Sequence, residues 1–255
     1  MFFLTFIAAA LAAPPSAAAL QSAWNQHSAS MIAHGVHPLS PELEDFVAVA
    51  NGAVAKRRIA EDGPDRAMGM LWTPVARPVL WVAVLDDIHD TVVNSLHEQR
   101  LGRTEDGRKV LYQRLDLPWP AQDRQWVIEI WNNLALERDT NGAVWERPWD
   151  LGDPARMPTP DGKALWLPMT NGSWLLLDVA GGTLMAYSAR TTIGGAIPDE
   201  LVTRWAMATL DEMMEHIVER SRSIPAHYDR HHDPVLGGDN QPIKAFAKPT
   251  NSQAQ

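Results

Sequence analysis

Between Gly172 and Arg220 the hydrophobic pattern changes period twice. Ser173 to Val179 is a nearly continuous apolar run of strand length. Ala180-Gly181-Gly182 follows, and paired glycines supply the positive φ of a hairpin turn. From Thr183 to Thr192 the positions alternate, with Thr183, Met185, Tyr187, Ala189 and Thr191 on one face. Gly194-Gly195 breaks the strand. Pro198-Asp199-Glu200 then opens a helix with a fixed φ and acidic charge in its first turn. The helix is predicted to run to about Arg220. A curved antiparallel sheet feeding one long C-terminal helix can close around an apolar cavity. That suits holding an apolar ligand more than a chemical step.

The same reading applied upstream gives a series of short elements. Ser40 is expected to cap a helix with Pro41 in its first position, and Phe46, Val49 and Ala50 form its apolar side. Ala53 to Ile59 and Arg66 to Thr73 read as strands around the turn Glu61–Pro64, with Met68, Met70 and Trp72 on one face. Val79 to Val84 permits a short helix, which Pro78 forces to begin there. Val92 to Arg103 and Arg108 to Leu117 read as strands around Glu105-Asp106-Gly107, and Pro118-Trp119-Pro120 is a rigid break. Asp123 to Leu136 is expected as one long strand, Trp126, Ile128, Ile130, Leu134 and Leu136 lining one face. Val144 to Trp149 and Ala164 to Leu167 are further strands, separated by a proline-rich loop.

The two ends read differently. Met1 to Ala19 is apolar and finishes in small residues, the pattern of a secretory signal peptide, although the first basic residue is Lys56. Cleavage after Ala19 is expected, so the reading is an exported protein, periplasmic or secreted. Residues 20–39 are polar and irregular, a linker. Residues 40–222 form the ligand-binding domain. From 223 to 255 the chain is polar and broken by Pro225, Pro234, Pro242 and Pro249, which predicts a disordered tail.

Composition narrows the function. The chain has 255 residues and a formal net charge of −9, which argues against sequence-independent nucleic-acid binding. It has no cysteine, so disulfides, thiolate metal sites and cysteine nucleophiles are excluded. Eleven tryptophans stand against five phenylalanines and three tyrosines, and large flat apolar walls suit a cavity.

Candidate chemistry is sparse. His227, Asp229, His231, His232 and Asp233 are metal-like in type but lie in a proline-broken stretch, whereas metal sites sit on rigid elements. No metal or cofactor is therefore expected. There is no Gly-x-Ser-x-Gly elbow, phosphate-cradling glycine loop or His-Glu-x-x-His run. Nothing in the sequence groups Glu98, Glu129 and His97 into an acid–base site. Arg124 and Asp123, and similarly Arg190, are read first as structural pairs and second as contacts to a polar head group, and Arg114 is a candidate for the cavity mouth.

The segment from about Ala53 to Ser221 resembles the START lipid-transfer family of the helix-grip superfamily, which also holds polyketide cyclases. The likeness is carried by Val110-Leu-Tyr-Gln-Arg114 running into Leu117-Pro-Trp-Pro120 and Asp123-Arg124-Gln-Trp126-Val127. It continues in Gly172-Ser-Trp174, Gly181-Gly182-Thr183, Tyr187 and Gly194-Gly195-Ala-Ile197-Pro198 with the final helix. Pro78, Trp81, Leu85 and Asp86 approximate a further family pattern. The resemblance implies an α+β fold, a curved antiparallel β-sheet wrapped around a long C-terminal α-helix with an internal hydrophobic cavity. It implies a non-enzymatic protein, expected as a monomer, that binds a lipid or other hydrophobic small molecule and makes transient membrane contact. A cyclase or hydrolase using the same cavity is the alternative. Alternation along the strands nominates the walls: Met68, Met70 and Trp72; Leu111 and Leu115; Trp126, Ile128 and Ile130; Leu175 and Leu177; Met185 and Tyr187. Helical spacing adds Val202, Trp205, Ala206, Thr209, Met213 and Ile217.

Overall fold

The computed structural model describes residues 13–36, 39–85, 96–157, 159–227 and 235–243. Among them nine strands make one sheet: β1 (Ala55–Ile59), β2 (Arg66–Thr73), β3 (Leu96–Arg103), β4 (Lys109–Leu115), β5 (Arg124–Ile130), β6 (Val144–Leu151), β7 (Leu165–Trp166), β8 (Met169–Val179) and β9 (Gly182–Thr192). The order is β1-β2-β9-β8-β6-β5-β4-β3 with antiparallel neighbours, and β7 lies parallel beside β5. The helices are α1 (Ala17–Ala33), α2 (Leu43–Ala50), α3 (Arg77–Leu85), α4 (Leu134–Asp139) and α5 (Asp199–His227). This is the predicted helix-grip arrangement, a curved sheet with a long C-terminal helix.

The sheet separates two cores. On the outer face Met68, Met70, Trp72, Leu175, Leu177 and Leu184 meet Leu20, Trp24 and Met31 of α1 and Phe46 and Val49 of α2. On the inner face α3 and the C-terminal half of α5 close over Leu71, Met185, Leu176 and Trp145. Trp81 of α3 stands edge-on to Trp145, ring centres 5.3 Å apart. The cross-strand partners Leu71, Met185, Leu176 and Trp145 form one transverse row.

Several expectations are corrected. Residues 20–39 hold most of α1, and Leu20, Trp24 and Met31 fall at helical spacing on its buried side. Their wide spacing among polar residues hides the stripe. Ser16 begins this helix, its Oγ accepting a hydrogen bond from the Ala19 N–H at 3.2 Å. The leader residues 1–12 lie outside the described residues.

The helix near residue 40 starts later than Ser40. Glu42 is its cap, and Asp45 Oδ2 accepts from the Glu42 N–H at 2.7 Å in a capping box. The strand expected over residues 123–136 ends at Ile130. Asn133 caps α4, its Oδ1 accepting from the Leu136 N–H at 3.2 Å, so Leu134 and Leu136 belong to a helix. Of the strand expected from Val92, residues 92–95 lie outside the described residues, as does Asp86.

The C-terminal region is not a tail throughout. α5 continues past residue 223, with Ile224 buried. Residues 235–243 return to the α3 side of the sheet. Trp81 Nε1 donates to the Leu236 carbonyl at 3.2 Å, and Asn132 Nδ2 donates to the Gly237 carbonyl at 3.1 Å. Val235 and Ile243 join the inner core. Polar composition conceals this packing because two apolar side chains and two small glycines against Trp145 suffice for it. Asp229, His231, His232 and Asp233 lie outside the described residues.

If α1 is part of the fold, removing its largest buried side chain leaves a cavity in the outer core. Trp24→Ala is expected to lower stability by about 3–5 kcal/mol, the usual cost for a buried tryptophan. A denaturant titration measures it, and an unchanged midpoint would return residues 20–39 to the status of a linker.

Candidate functional site: a cavity beneath the C-terminal helix

α5 packs on the sheet over Gly69 of β2. A Cβ there would stand 2.6 Å from the Met214 sulfur, so a larger residue would need the flexible Met214 side chain to shift. C-terminal to that contact, α3 and the tryptophan pair fill the space. N-terminal to it the inner face is open, and a cavity of about 410 Å³ remains between α5 and strands β2 to β6, β8 and β9.

The cause lies in one transverse row. Ala67, Ala189 and Gly172 are cross-strand partners, followed by Trp149 and Ile130. Three of these side chains are too small to reach the helix. Trp149 lies flat across Gly172, where a Cβ would collide with its ring and with the Ser188 carbonyl. Tyr187 packs on Trp174 at 4.6 Å and faces Trp149 at 5.7 Å, forming an aromatic wall.

Of the predicted wall residues, Leu111, Leu115, Trp126, Ile128, Ile130 and Tyr187 line the cavity from the sheet. Val202, Trp205, Ala206, Thr209, Met213 and Ile217 line it from α5. Met68, Met70, Trp72, Leu175 and Leu177 do not: they point into the outer core. Met185 is on the inner face but inside its filled half. The error is one of parity. Val179 pairs with Gly182 across the tight turn, so Trp174 pairs with Tyr187 and Leu175 with Ala186. Once Tyr187 faces the cavity, Trp174 must and Leu175 cannot. That register was available from the glycine turn alone. Trp149, Trp174, Arg147 and Thr170 are lining residues that the alternation argument passed over.

Most polar groups around the lumen are already engaged. Gln113 Oε1 accepts from Trp126 Nε1 at 2.7 Å, and its amide donates to Glu98. The Thr170 and Thr191 hydroxyls meet at 3.0 Å. Arg124 donates to the Ile193 carbonyl at 2.7 Å and the Gly194 carbonyl at 2.9 Å, tying the loop before α5 to β5. Burial pulls its pKa down. Arg114 is held by Asp116 and Asp161, and Arg190 by Glu61 and the Pro64 carbonyl. Arg147 and the Tyr187 hydroxyl differ. Among the described residues Arg147 donates only to Asn132 Oδ1, at 3.4 Å. The Tyr187 hydroxyl has no hydrogen-bond partner among the described residues, and burial pushes its pKa up to about 12.

The candidate acid–base groups do not converge. Glu98 lines the cavity, but His97 is turned away and bonded to Asp116 at 2.8 Å. Glu129 lies on the opposite face of β5, 3.4 Å from Arg156.

No family model matches the chain. An uncharacterized protein of Pseudomonas aeruginosa is 27% identical over 116 residues, 45% of this chain. The chain spans about half of that protein, 54% of its length. Human STARD10 superposes with a TM-score of 0.55 at 12% identity, over 69% of this chain and 76% of that one. Human StAR-related lipid transfer protein 5 gives 0.51 at 9% identity, over 82% and 99%. The fold is START-like. A STAR-related lipid transfer protein fragment from Xanthomonas axonopodis gives 0.49 at 22% identity, over 67% and 90%. The sheet and terminal helix are shared with human STARD10 and human StAR-related lipid transfer protein 5 at 12% and 9% identity.

The cavity makes a test available on α5. Ala206→Trp places a large ring in open volume, so stability is expected to stay within about 1 kcal/mol of wild type, whereas overpacking a filled core costs about 1–3 kcal/mol. The same ring should weaken binding of an apolar fluorescent probe by about tenfold, a loss near 1.4 kcal/mol. A destabilised variant would mean that the space is filled.

Proposed function

We propose that this protein binds a lipid or other apolar small molecule in the cavity beneath α5 and transfers or sequesters it. The observation that carries the reading is a partly open cavity of about 410 Å³ walled mainly by aliphatic and aromatic side chains. Ligand pockets span about 300–1,000 Å³ and are mostly apolar. Capture would be driven by burial of the ligand's surface, at about 25 cal/mol per Å². The START-like fold supports the reading, since one of the similar structures, human StAR-related lipid transfer protein 5, is named as a lipid transfer protein. An enzyme using the same cavity is disfavoured by the separation of His97 and Glu129 from it.

The rim supports a membrane encounter. Trp205 lines the cavity yet is 53% exposed, and Leu201, one turn earlier on α5, is 50% exposed. Trp119 is 92% exposed, in the loop that joins Leu115 of β4 to Arg124 of β5, both cavity residues. Tryptophan has an apolar body and a polar tip, which suits the lipid–water interface. Trp119→Ser should slow transfer of a fluorescent lipid between vesicles by about threefold or more, while equilibrium binding of a soluble apolar probe stays unchanged. Equal transfer rates would remove Trp119 from the encounter. Co-purifying lipid in native mass spectrometry tests the binding itself, and an empty protein that turns over an ester substrate would favour the enzymatic alternative.

Export belongs to the same proposal. Cleavage after Ala19 would remove the Ser16 cap but leave Leu20, Trp24 and Met31 to fill the outer core. N-terminal sequencing from the native host is expected to begin near Leu20, and a chain retaining Met1 would overturn it.

A further inference from the structure

Among the described residues, one cation of the lumen is left with a single long hydrogen bond. Arg147 is in the middle of β6, on the face that lines the cavity. Cross-strand pairing sets it in one transverse row with Trp174 and Tyr187. Its single hydrogen bond is the long one to Asn132 Oδ1, at 3.4 Å. Among the described residues no carboxylate is within ion-pair distance. Glu146, its neighbour in sequence, points to the opposite face of the strand, where its Oε2 accepts from Asn133 Nδ2 at 2.7 Å. The acids that line the cavity are placed elsewhere: Asp65 pairs with Arg58, Glu98 accepts from Gln113, and Glu212 is on α5.

Other arginines show what is missing. Arg66 has Glu61 at 2.6 Å and Asn171 at 3.0 Å. Arg77 has Asp178 at 2.9 Å and the Trp145 face at 4.2 Å. Arg124 has backbone carbonyls on its whole fork. Desolvation, together with the like charges of Arg103 and Arg100, brings the Arg147 pKa down to about 10. It therefore remains a cation at neutral pH. A half-buried cation without a counter-ion is costly to desolvate, and an anion entering the site would recover part of that cost.

Resting on the lipid-binding reading above, we propose that the cavity takes an amphiphile with a single oxyanion head, the anion seated on Arg147 and the Tyr187 hydroxyl beside it, the chain running toward the rim at Trp205. The guanidinium fork matches a carboxylate or a phosphate monoester, and the hydroxyl supplies a further donor. Arg147 and Tyr187 both have donor capacity to spare, and the walls around them are aromatic and aliphatic.

The test is displacement of a neutral apolar fluorescent probe, below micelle-forming concentrations and at neutral pH, by dodecanoate, dodecyl phosphate, dodecanol and dodecylammonium. Dodecanoate, dodecyl phosphate or both should displace the probe about tenfold more strongly than dodecanol, as expected for a charge-assisted hydrogen-bonded pair. Dodecylammonium should be weakest. A preference for one anion identifies the head as carboxylate or phosphate. Arg147→Met should abolish the anion preference while leaving dodecanol unchanged, and Arg147→Lys should keep part of it. Dodecanol matching both anions in wild type, or a preference that survives Arg147→Met, would overturn the proposal and leave the apolar-cavity reading intact. Failure of the probe and all four ligands to bind folded wild type would overturn that reading, and the anionic head with it. Near-UV circular dichroism of Arg147→Met separates a lost fold from a lost site. If that variant does not fold, Arg147→Lys and the four-ligand ranking in wild type still decide the matter.

Discussion

The inner face of this protein depends on how closely α5 can approach β2. At Gly69 the Met214 side chain of the helix seats against bare backbone, and that contact divides the inner face in two. What happens on either side is then a matter of side-chain volume. Toward the C-terminus of α5 the row Leu71, Met185, Leu176 and Trp145 is large, and Trp81 adds another ring, so the space fills. Toward the N-terminus the row begins Ala67, Ala189, Gly172, and these cannot bridge the same gap. A uniformly close-packed interior would have required larger residues there. The cavity is thus a consequence of three small positions next to one close helix contact.

Much of this was legible in the sequence, and the losses have particular causes. The hairpin β8–β9, the glycine break and the long helix followed from turn chemistry and period, because each is a local signal. The existence of most strands followed too. Which face of a strand meets the cavity did not, because both faces of β2, β8 and β9 are buried. An apolar alternation argument presumes one wet face, and here the outer face is covered by α1 and α2. Met70, Trp72, Leu175 and Leu177 look like wall residues for that reason and belong to the outer core. The β4 and β5 residues Leu111, Leu115, Ile128 and Ile130 line the cavity, while Val110, Tyr112 and Val127 on the other face form a small cluster with Met157. At Asn133 a capping side chain overrode an apolar pattern that continued through Leu136. In the C-terminal region composition misled, because sparse contacts on tryptophan rings order residues 235–243.

The same alternation that hid the outer core places two charges back to back. Glu146 and Arg147 are adjacent in β6, and strand geometry sends them to opposite faces, so they cannot neutralise each other. Burial pushes the Glu146 carboxyl pKa up, opposed by its hydrogen bond from Asn133. In the outer core a protonated or hydrogen-bonded acid can be accommodated by Asn133, which also binds the His34 carbonyl and caps α4. In the lumen the guanidinium stays charged, because no shift of this size neutralises an arginine at neutral pH.

An open volume and an unmatched cation both weaken a fold, the first by forgone contacts and the second by desolvation. The sheet can hold them only if its other face is strongly packed. That assigns a role to α1 and α2 beyond covering apolar surface. Leu20, Trp24, Met31, Phe46 and Val49 lie against the strands whose inner positions face α5, Met68 and Met70 backing onto Gly69, and Leu175 and Leu177 onto Trp174 and Leu176. Well-packed side chains on one face hold those strands in register while the other face stays partly unfilled. Protein interiors transmit strain because they are densely packed, so a loosened outer core should be felt at the cavity through Gly69 and Trp174. The N-terminal helix, which touches no ligand-facing residue in this account, thereby becomes a condition for keeping the lumen open.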